Sequence, residues 1–349
     1  MNGPPAPTAS NRRKQIVASI VTLVTLALVF VVILPRVADY GQAWDAIQGM
    51  SGASLAVLAL FTVGTIAVYV WPYQAALPGI RYGPAFVIRQ TSFAISNGVP
   101  AGGAVGLGVQ YDMLSGYGVP AGPAAAAIGV TSVWNTLVTL GMPVLAVVAL
   151  AFTGDFESGV LAAAAIGIVV LAVLVGALAL VFRSESAARR LGGFADRLAA
   201  RAMRLFRKDT RLDLTGALLD FRASTVDLVR RRWAVITLAN TLQQVVQFVV
   251  LAVALWGVQS GGDTSVSLVE AFVAFSVGRL GSFIPVTPGG LGTVDAAITA
   301  ILVAFGAGEP DALAAVLVWR ATTYFPQVFI GIGTFLFWRR RKRRGLAPT

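Results

Sequence analysis

Six long apolar runs decide what this chain can fold into. They are Ile16–Leu34, Ala53–Trp71, Ala121–Phe152, Gly159–Phe182, Ala234–Val258 and Ala312–Trp338. Five carry no charged residue, and the sixth carries only Arg320. Even the shortest, at 19 residues, reaches about 28 Å as an α-helix, close to the roughly 30 Å of a hydrocarbon core. Hydrocarbon offers no water to backbone N–H and C=O groups, so each run is expected to satisfy them as a helix. Composition agrees: 56 % of the residues are hydrophobic and only 12 % are charged, against roughly 25 % in soluble domains. The mean hydropathy is +0.77.

Where the charges fall gives the expected topology. The net charge of +11 raises nucleic acid as a partner, but the basic residues cluster between apolar runs, where a membrane surface explains them. Arg12, Arg13 and Lys14 precede the first run, which reads as a retained span and not a signal peptide. The segment Arg183–Trp233 holds thirteen Arg/Lys against six Asp/Glu, and Arg339–Arg344 is wholly basic. Both are expected on the cytoplasmic side, with the N-terminus, Arg81 and Arg89. Acidic loops around Asp39, Asp155, Asp263 and Glu309 fall outside. This divides the chain into a basic, disordered start (1–15), a first membrane half (16–182), a cytoplasmic connector (183–233), a second membrane half (234–338) and a basic tail (339–349). The connector alternates Leu and Phe with Arg at helical spacing, which suggests amphipathic helices on the leaflet surface.

Two apolar regions, 90–118 and 266–306, fit no simple span. Each must start and finish on one side, so each is expected to be a broken or re-entrant hairpin, the two entering from opposite faces. The first contains "SNGVPAGGAVG" (Ser96–Gly106) and the second "SFIPVTPGGLG" (Ser282–Gly292). An acid comes after each, Asp112 and Asp295. Trp134–Asn135 and Trp319–Arg320 come next, then Pro143 and Pro326. This is a weak repeat, and opposed entry makes it inverted. Gly and Pro alone are often packing devices in membrane helices. Paired interruptions in two halves point instead to a transport site.

A break in a helix frees backbone donors, and a half-helix N-terminus suits an anion. The candidate donors are the backbone N–H groups around Gly102, Gly103, Gly289 and Gly290, after the break at Pro288. Gly292 likewise lets a ligand approach. Arg279, Asp295 and Arg320 are ionisable at membrane depth, which marks them as functional candidates. Alternatively, either arginine pairs with Asp295 or Glu270 as a structural ion pair. The absence of Cys and His excludes thiol nucleophiles, imidazole bases and common zinc sites. No cofactor is expected.

The blocks "PVTPGGLGTVDAAITAILVAFG" (Pro285–Gly306) and "VWRATTYFPQVFIG" (Val318–Gly331) resemble the lysylphosphatidylglycerol synthase transmembrane region, a flippase-like domain. The specific part is Pro-x-Thr-Pro-Gly-Gly-x-Gly, which adds Pro285 and Thr287, with Arg320 and Tyr324 downstream. Asn97, Pro100, Gly102 and Gly103 match the first Gly/Pro block more loosely. Asp295 stands where the family usually has Glu, and only Asp112 lies near the first block. The sequence stops soon after its last run, so the resemblance implies lipid handling without a fused aminoacyltransferase.

The expectation is therefore an all-α, multi-pass protein of a bacterial-type cytoplasmic membrane. It has six spans, two opposed hairpins and both termini in the cytoplasm. It binds and moves an anionic lipid, and is not itself an enzyme. Rival readings are a membrane subunit in polyprenyl-phosphate glycolipid chemistry, or a scaffold for a separate soluble transferase. The sequence carries no ATP-binding signature and no signal for oligomeric state.

Overall fold

A computed structural model describes residues 40–98, 102–152, 158–205, 213–259, 266–284 and 288–343. Most of these residues are helical, with no strand among the described residues. In chain order the helices are α1 (Tyr40–Gln48), α2 (Gly52–Val68), α3 (Trp71–Ala76), α4 (Tyr82–Gly98), α5 (Gly102–Gly116), α6 (Ala121–Ala151) and α7 (Ser158–Arg183). They continue as α8 (Glu185–Leu205), α9 (Leu214–Val258), α10 (Leu268–Gly278), α11 (Thr293–Ala304), α12 (Glu309–Thr323) and α13 (Phe325–Arg343). Two 3₁₀ turns, Arg279–Phe283 and Pro288–Gly290, sit between α10 and α11.

Four segments are long and apolar enough to cross a membrane: Gly52–Ala76, Ala121–Ala151, Leu214–Val258 and Glu309–Lys342. The expected run Gly159–Phe182 falls within α7. The expected span Ile16–Leu34 and the start of the chain lie outside the described residues, as do residues 344–349.

The described chain forms two compact units that are not consecutive in sequence. One comprises residues 71–81 and 118–241. Here α6 packs on α7, and α8 packs on α7. The Trp134 indole donates to Thr237 Oγ1 at 2.8 Å. The Trp134, Phe182 and Phe221 rings succeed one another at 6.4 and 6.0 Å. The Arg222 guanidinium donates to the Val181 carbonyl at 2.9 Å. Asp196 on α8 caps the start of α9, accepting from Leu214 N at 2.7 Å and from Thr215 Oγ1 at 2.6 Å. These bonds hold the Asp196 carboxyl below its ordinary value of 3.8. The second part of the connector is thus continuous with the span after it. α9 runs unbroken for 45 residues, about 68 Å and roughly twice the thickness of a hydrocarbon core.

The other unit comprises residues 40–70, 82–117 and 242–343, and holds both interrupted regions. Helices α4 and α5 pair as one hairpin, and α10 and α11 as the other. Glycines let these backbones approach: a Cβ on Gly102 would strike the Ile95 carbonyl, and one on Gly278 would strike Ile298. Helix α4 also packs along α13, where Thr91 and Thr334 share a hydroxyl–hydroxyl bond of 2.9 Å. Gly331 leaves room for the Gln90 carbonyl. Leu313 and Ala314 of α12 are fully buried, packed with Ala46 and Ile47 of α1. Helix α10 starts with a capping box: Ser267 N donates to Glu270 Oε2 at 2.7 Å and Glu270 N to Ser267 Oγ at 3.3 Å. Glu270 therefore serves its own helix, and no arginine pairs with it among the described residues.

Helix α12 gives way to α13 at Tyr324. Pro326 comes two residues later, and its ring nitrogen cannot return a hydrogen bond to the preceding turn. The last turn of α12, Arg320–Tyr324, is where the functional candidates collect.

Candidate functional site: two hairpin tips on one helix turn

Both interrupted regions point their broken ends at the α12–α13 junction. The first ends α4 at Gly98. One residue earlier, the Asn97 carbonyl accepts the Tyr324 hydroxyl at 2.6 Å, while the Asn97 amide is tied to the Phe93 carbonyl at 2.8 Å. The second supplies the turn Pro288–Gly290, where Gly289 and Gly290 have φ of +63° and +65°, a conformation L-residues disfavour. A Cβ on Gly289 would lie 2.8 Å from both Asn97 Oδ1 and a Tyr324 ring carbon. One on Gly290 would lie 2.8 Å from Val294 Cγ2. Gly289 is needed here because the two tips touch, and Gly290 because its own hairpin folds closely against it.

Asp295 and Arg320 close the junction. Asp295 is the third residue of α11, and its carboxylate accepts the Gly292 N–H at 2.7 Å. Its other oxygen takes Arg320 Nε at 2.5 Å. Arg320 Nη2 also donates to the Gly290 carbonyl at 3.3 Å. Its guanidinium lies 4.8 Å from the Trp319 ring and 5.5 Å from the Tyr324 ring. Asp295 and Arg320 are 2 % and 7 % exposed, so this is a buried pair with its hydrogen bonds met. One of the two alternatives left by the sequence is thereby realised: Arg320 pairs with Asp295. The Gly292 N–H is spent on the same carboxylate and does not face a ligand.

Arg279 differs. It lies at the end of α10, with Nη1 and Nη2 directed at the side-chain oxygens of Gln247 and Gln244, at 3.4 and 3.3 Å. No carboxylate pairs with it among the described residues. Those glutamines belong to a stripe that the apolar-run reading passes over. Asn240, Gln243, Gln244 and Gln247 recur at i, i+3, i+4 and i+7 on α9, and all four are buried. Helical periodicity of amides inside an apolar run is the signal that could have found them. Arg89 is a second omission. The sequence expectation concerns only its side of the membrane; in the structure its guanidinium lies over the Tyr69 ring at 4.4 Å. Tyr69 packs edge-on against Phe93 at 5.4 Å, and Phe93 against Tyr324 at 5.7 Å.

Asn97, Pro288, Gly289, Gly290, Gly292, Asp295, Arg320 and Tyr324 thus come together, with Arg279 beside them on the glutamine face. Gly102 is a packing position within its hairpin, and Gly103 is exposed with open space around it. Pro100, Pro285 and Thr287 lie outside the described residues. Asp112, the first hairpin's counterpart of Asp295, is exposed and pairs with Lys342 of the tail at 2.8 Å. Of the later landmarks of the weak repeat, Trp134 belongs to one compact unit and Trp319 to the other.

The family model described as the lysylphosphatidylglycerol synthase TM region matches residues 16–331 of the chain. No curated protein sequence matches it.

Proposed function

The chain belongs to the lysylphosphatidylglycerol synthase transmembrane-region family, and from that premise we propose that it binds an anionic lipid and moves it between membrane leaflets. Family membership and the long apolar helices make it a multi-pass membrane protein. The observation that carries the proposal is the meeting of two helix breaks on the single buried turn Arg320–Tyr324. Irregular backbone at membrane depth is tolerated where protein or a polar cavity surrounds it. Paired breaks are how transporters build sites near the bilayer midplane.

In this reading both hairpins are re-entrant, the first from the cytoplasm and the second from the opposite face of a bacterial-type cytoplasmic membrane. Both termini are cytoplasmic. The protein carries no covalent chemistry of its own, because Asp295, the buried carboxylate at the junction, is committed to Arg320 and to its own helix. A soluble transferase is a partner it can serve.

The test uses the natural absence of Cys. Single cysteines replace Asn97 and Thr287, and an impermeant thiol reagent is applied from each side of oriented vesicles. The proposal expects Asn97→Cys to label from the cytoplasmic side and Thr287→Cys from the other, with anionic lipid slowing both. Labelling of both from one side sinks the opposed hairpins. In proteoliposomes the protein should transfer a labelled anionic lipid between leaflets with no new covalent product, and a new product would make it an enzyme.

A further inference from the structure

Among the described residues, two of the buried polar atoms without hydrogen-bond partners are of opposite kind, one on Arg279 and one on the glutamine stripe that holds it. Arg279 Nε is a donor with no acceptor, and Gln243 Oε1 is an acceptor with no donor. Gln243 and Gln247 stand four residues apart on α9, about 6 Å between Cβ atoms, and Gln247 already touches the Arg279 guanidinium. Gln244 and Gln247 fix the guanidinium by its terminal nitrogens but, being neutral, leave its charge uncompensated. The contrast with Arg320, held by Asp295, divides the two arginines by task. Arg320 latches the hairpin tips, and Arg279 is the cation still available to a ligand. A guanidinium offers a rigid fork of donors to a phosphate, and an unpaired buried amide oxygen costs free energy until a donor reaches it.

We infer that Arg279 and Gln243 form a two-point headgroup site on the amide face of α9. Arg279 takes the phosphate, and Gln243 takes a hydrogen-bond donor carried by the headgroup next to it. Gln244 and Gln247 are positioning residues for the guanidinium. This rests on the lipid-binding reading above and adds a selectivity to it. A phospholipid whose headgroup offers an N–H or O–H is preferred over one that ends in a quaternary ammonium, at equal net charge. The ethanolamine and choline headgroups make that comparison, since both are zwitterionic and only the first donates.

The experiment uses the full chain purified in detergent, with dihexanoyl phosphatidylethanolamine, dihexanoyl phosphatidylcholine and inorganic phosphate as probes. Affinity is read from the shift of the thermal unfolding midpoint with probe concentration. The wild type should bind the ethanolamine lipid more tightly than the choline lipid. Gln243→Leu should erase that preference and leave choline-lipid binding intact. Arg279→Gln should weaken both by about tenfold or more, and Arg279→Lys should fall between it and the wild type. Unchanged lipid affinity in Arg279→Gln, or a surviving preference in Gln243→Leu, overturns the inference while leaving lipid binding in place. If Arg279→Gln does not fold, Arg279→Lys and Gln243→Leu decide. Failure of the wild type to bind either lipid overturns this inference and leaves the anionic-lipid reading to the proteoliposome assay above. Inorganic phosphate acting as strongly as the lipids would mark a free-anion site and overturn the headgroup assignment.

Discussion

The two hairpins solve the same problem differently. In the first, α4 and α5 close on glycine, as Gly102 fits against the Ile95 carbonyl. Its acid, Asp112, stays at the surface with Lys342. In the second, the break is stiffened by charge: Asp295 caps α11 and Arg320 ties the same carboxylate to α12. The first tip meets Tyr324 through the neutral Asn97 carbonyl; the second meets Arg320 through the Gly290 carbonyl and the Asp295 carboxylate. The difference teaches where a broken helix needs electrostatics. A tip packed on its own hairpin can rely on close contact. A tip that ends in 3₁₀ turns with left-handed glycines leaves backbone groups that helical bonding does not use, and a buried arginine and carboxylate take them up.

The largest effect should come from setting Asp295 against Asp112. Arg320→Ala leaves a buried carboxylate uncompensated and should cost about 3–5 kcal/mol of stability. Asp112→Ala removes an exposed pair and should cost about 1 kcal/mol or less. Unfolding in detergent measures both, and equal costs would erase the distinction between the hairpins. Replacing both members with apolar residues, Asp295→Leu with Arg320→Met, should recover part of the stability. Lipid transfer should still be lost, because the Gly290 carbonyl and Gly292 N–H then have no side chain to hold them.

The glycines give the next test. Gly289→Ala imposes a left-handed alanine, at about 1–2 kcal/mol, and adds contact with Asn97 and Tyr324. Gly103→Ala, in open space within α5, should be neutral or stabilise by up to about 1 kcal/mol. A Gly289→Ala protein as stable as its Gly103→Ala counterpart would show that the tips can part without cost.

Much of this is legible in sequence because it arises from local rules. The apolar runs specify helices, and the second Gly/Pro block marks a break that the structure shows as the 3₁₀ turns Arg279–Phe283 and Pro288–Gly290. Asp295 and Arg320 are conspicuous as charges in apolar surroundings. What is not legible is partnership. Glu270 and Asp295 are equal partners for an arginine on paper. The pattern Ser267-x-x-Glu270 is a capping box readable from sequence, and it removes Glu270 from the contest. Positive charge assigns Arg89 a side of the membrane but does not name its neighbour, the Tyr69 ring. The continuity of α9 through Trp233 is hidden by the change from amphipathic to apolar pattern, which alters what the helix faces and not the helix itself.

A smaller effect should come from Tyr324→Phe, which removes the hydroxyl bond to the Asn97 carbonyl and keeps the ring contacts with Phe93 and Phe325. A cost of about 0.5–1.5 kcal/mol is expected, with faster thiol labelling of Asn97→Cys in that background. Unchanged labelling would mean that packing of α4 on α13 alone fixes the first tip.

The smallest effect compares two carboxylates that do the same local job. Asp295 caps α11 in the interior, and Asp196 caps α9 at the surface, across helices. Asp196 is held below its ordinary value of 3.8 by the Thr215 hydroxyl and then by the Leu214 N–H. A folded value below the unfolded one means that the cap contributes fully above 3.8. The contribution is lost as pH falls through the lower, folded value. Asp196→Asn should therefore lower stability slightly at neutral pH, and the difference from wild type should shrink below pH 3.8. Amide exchange at Leu214 and Thr215 reads this directly, because those N–H groups are the ones capped. Protection that is the same in both proteins at neutral pH would mean that packing of Thr215 against Gly192, and not the carboxylate, fixes the start of α9.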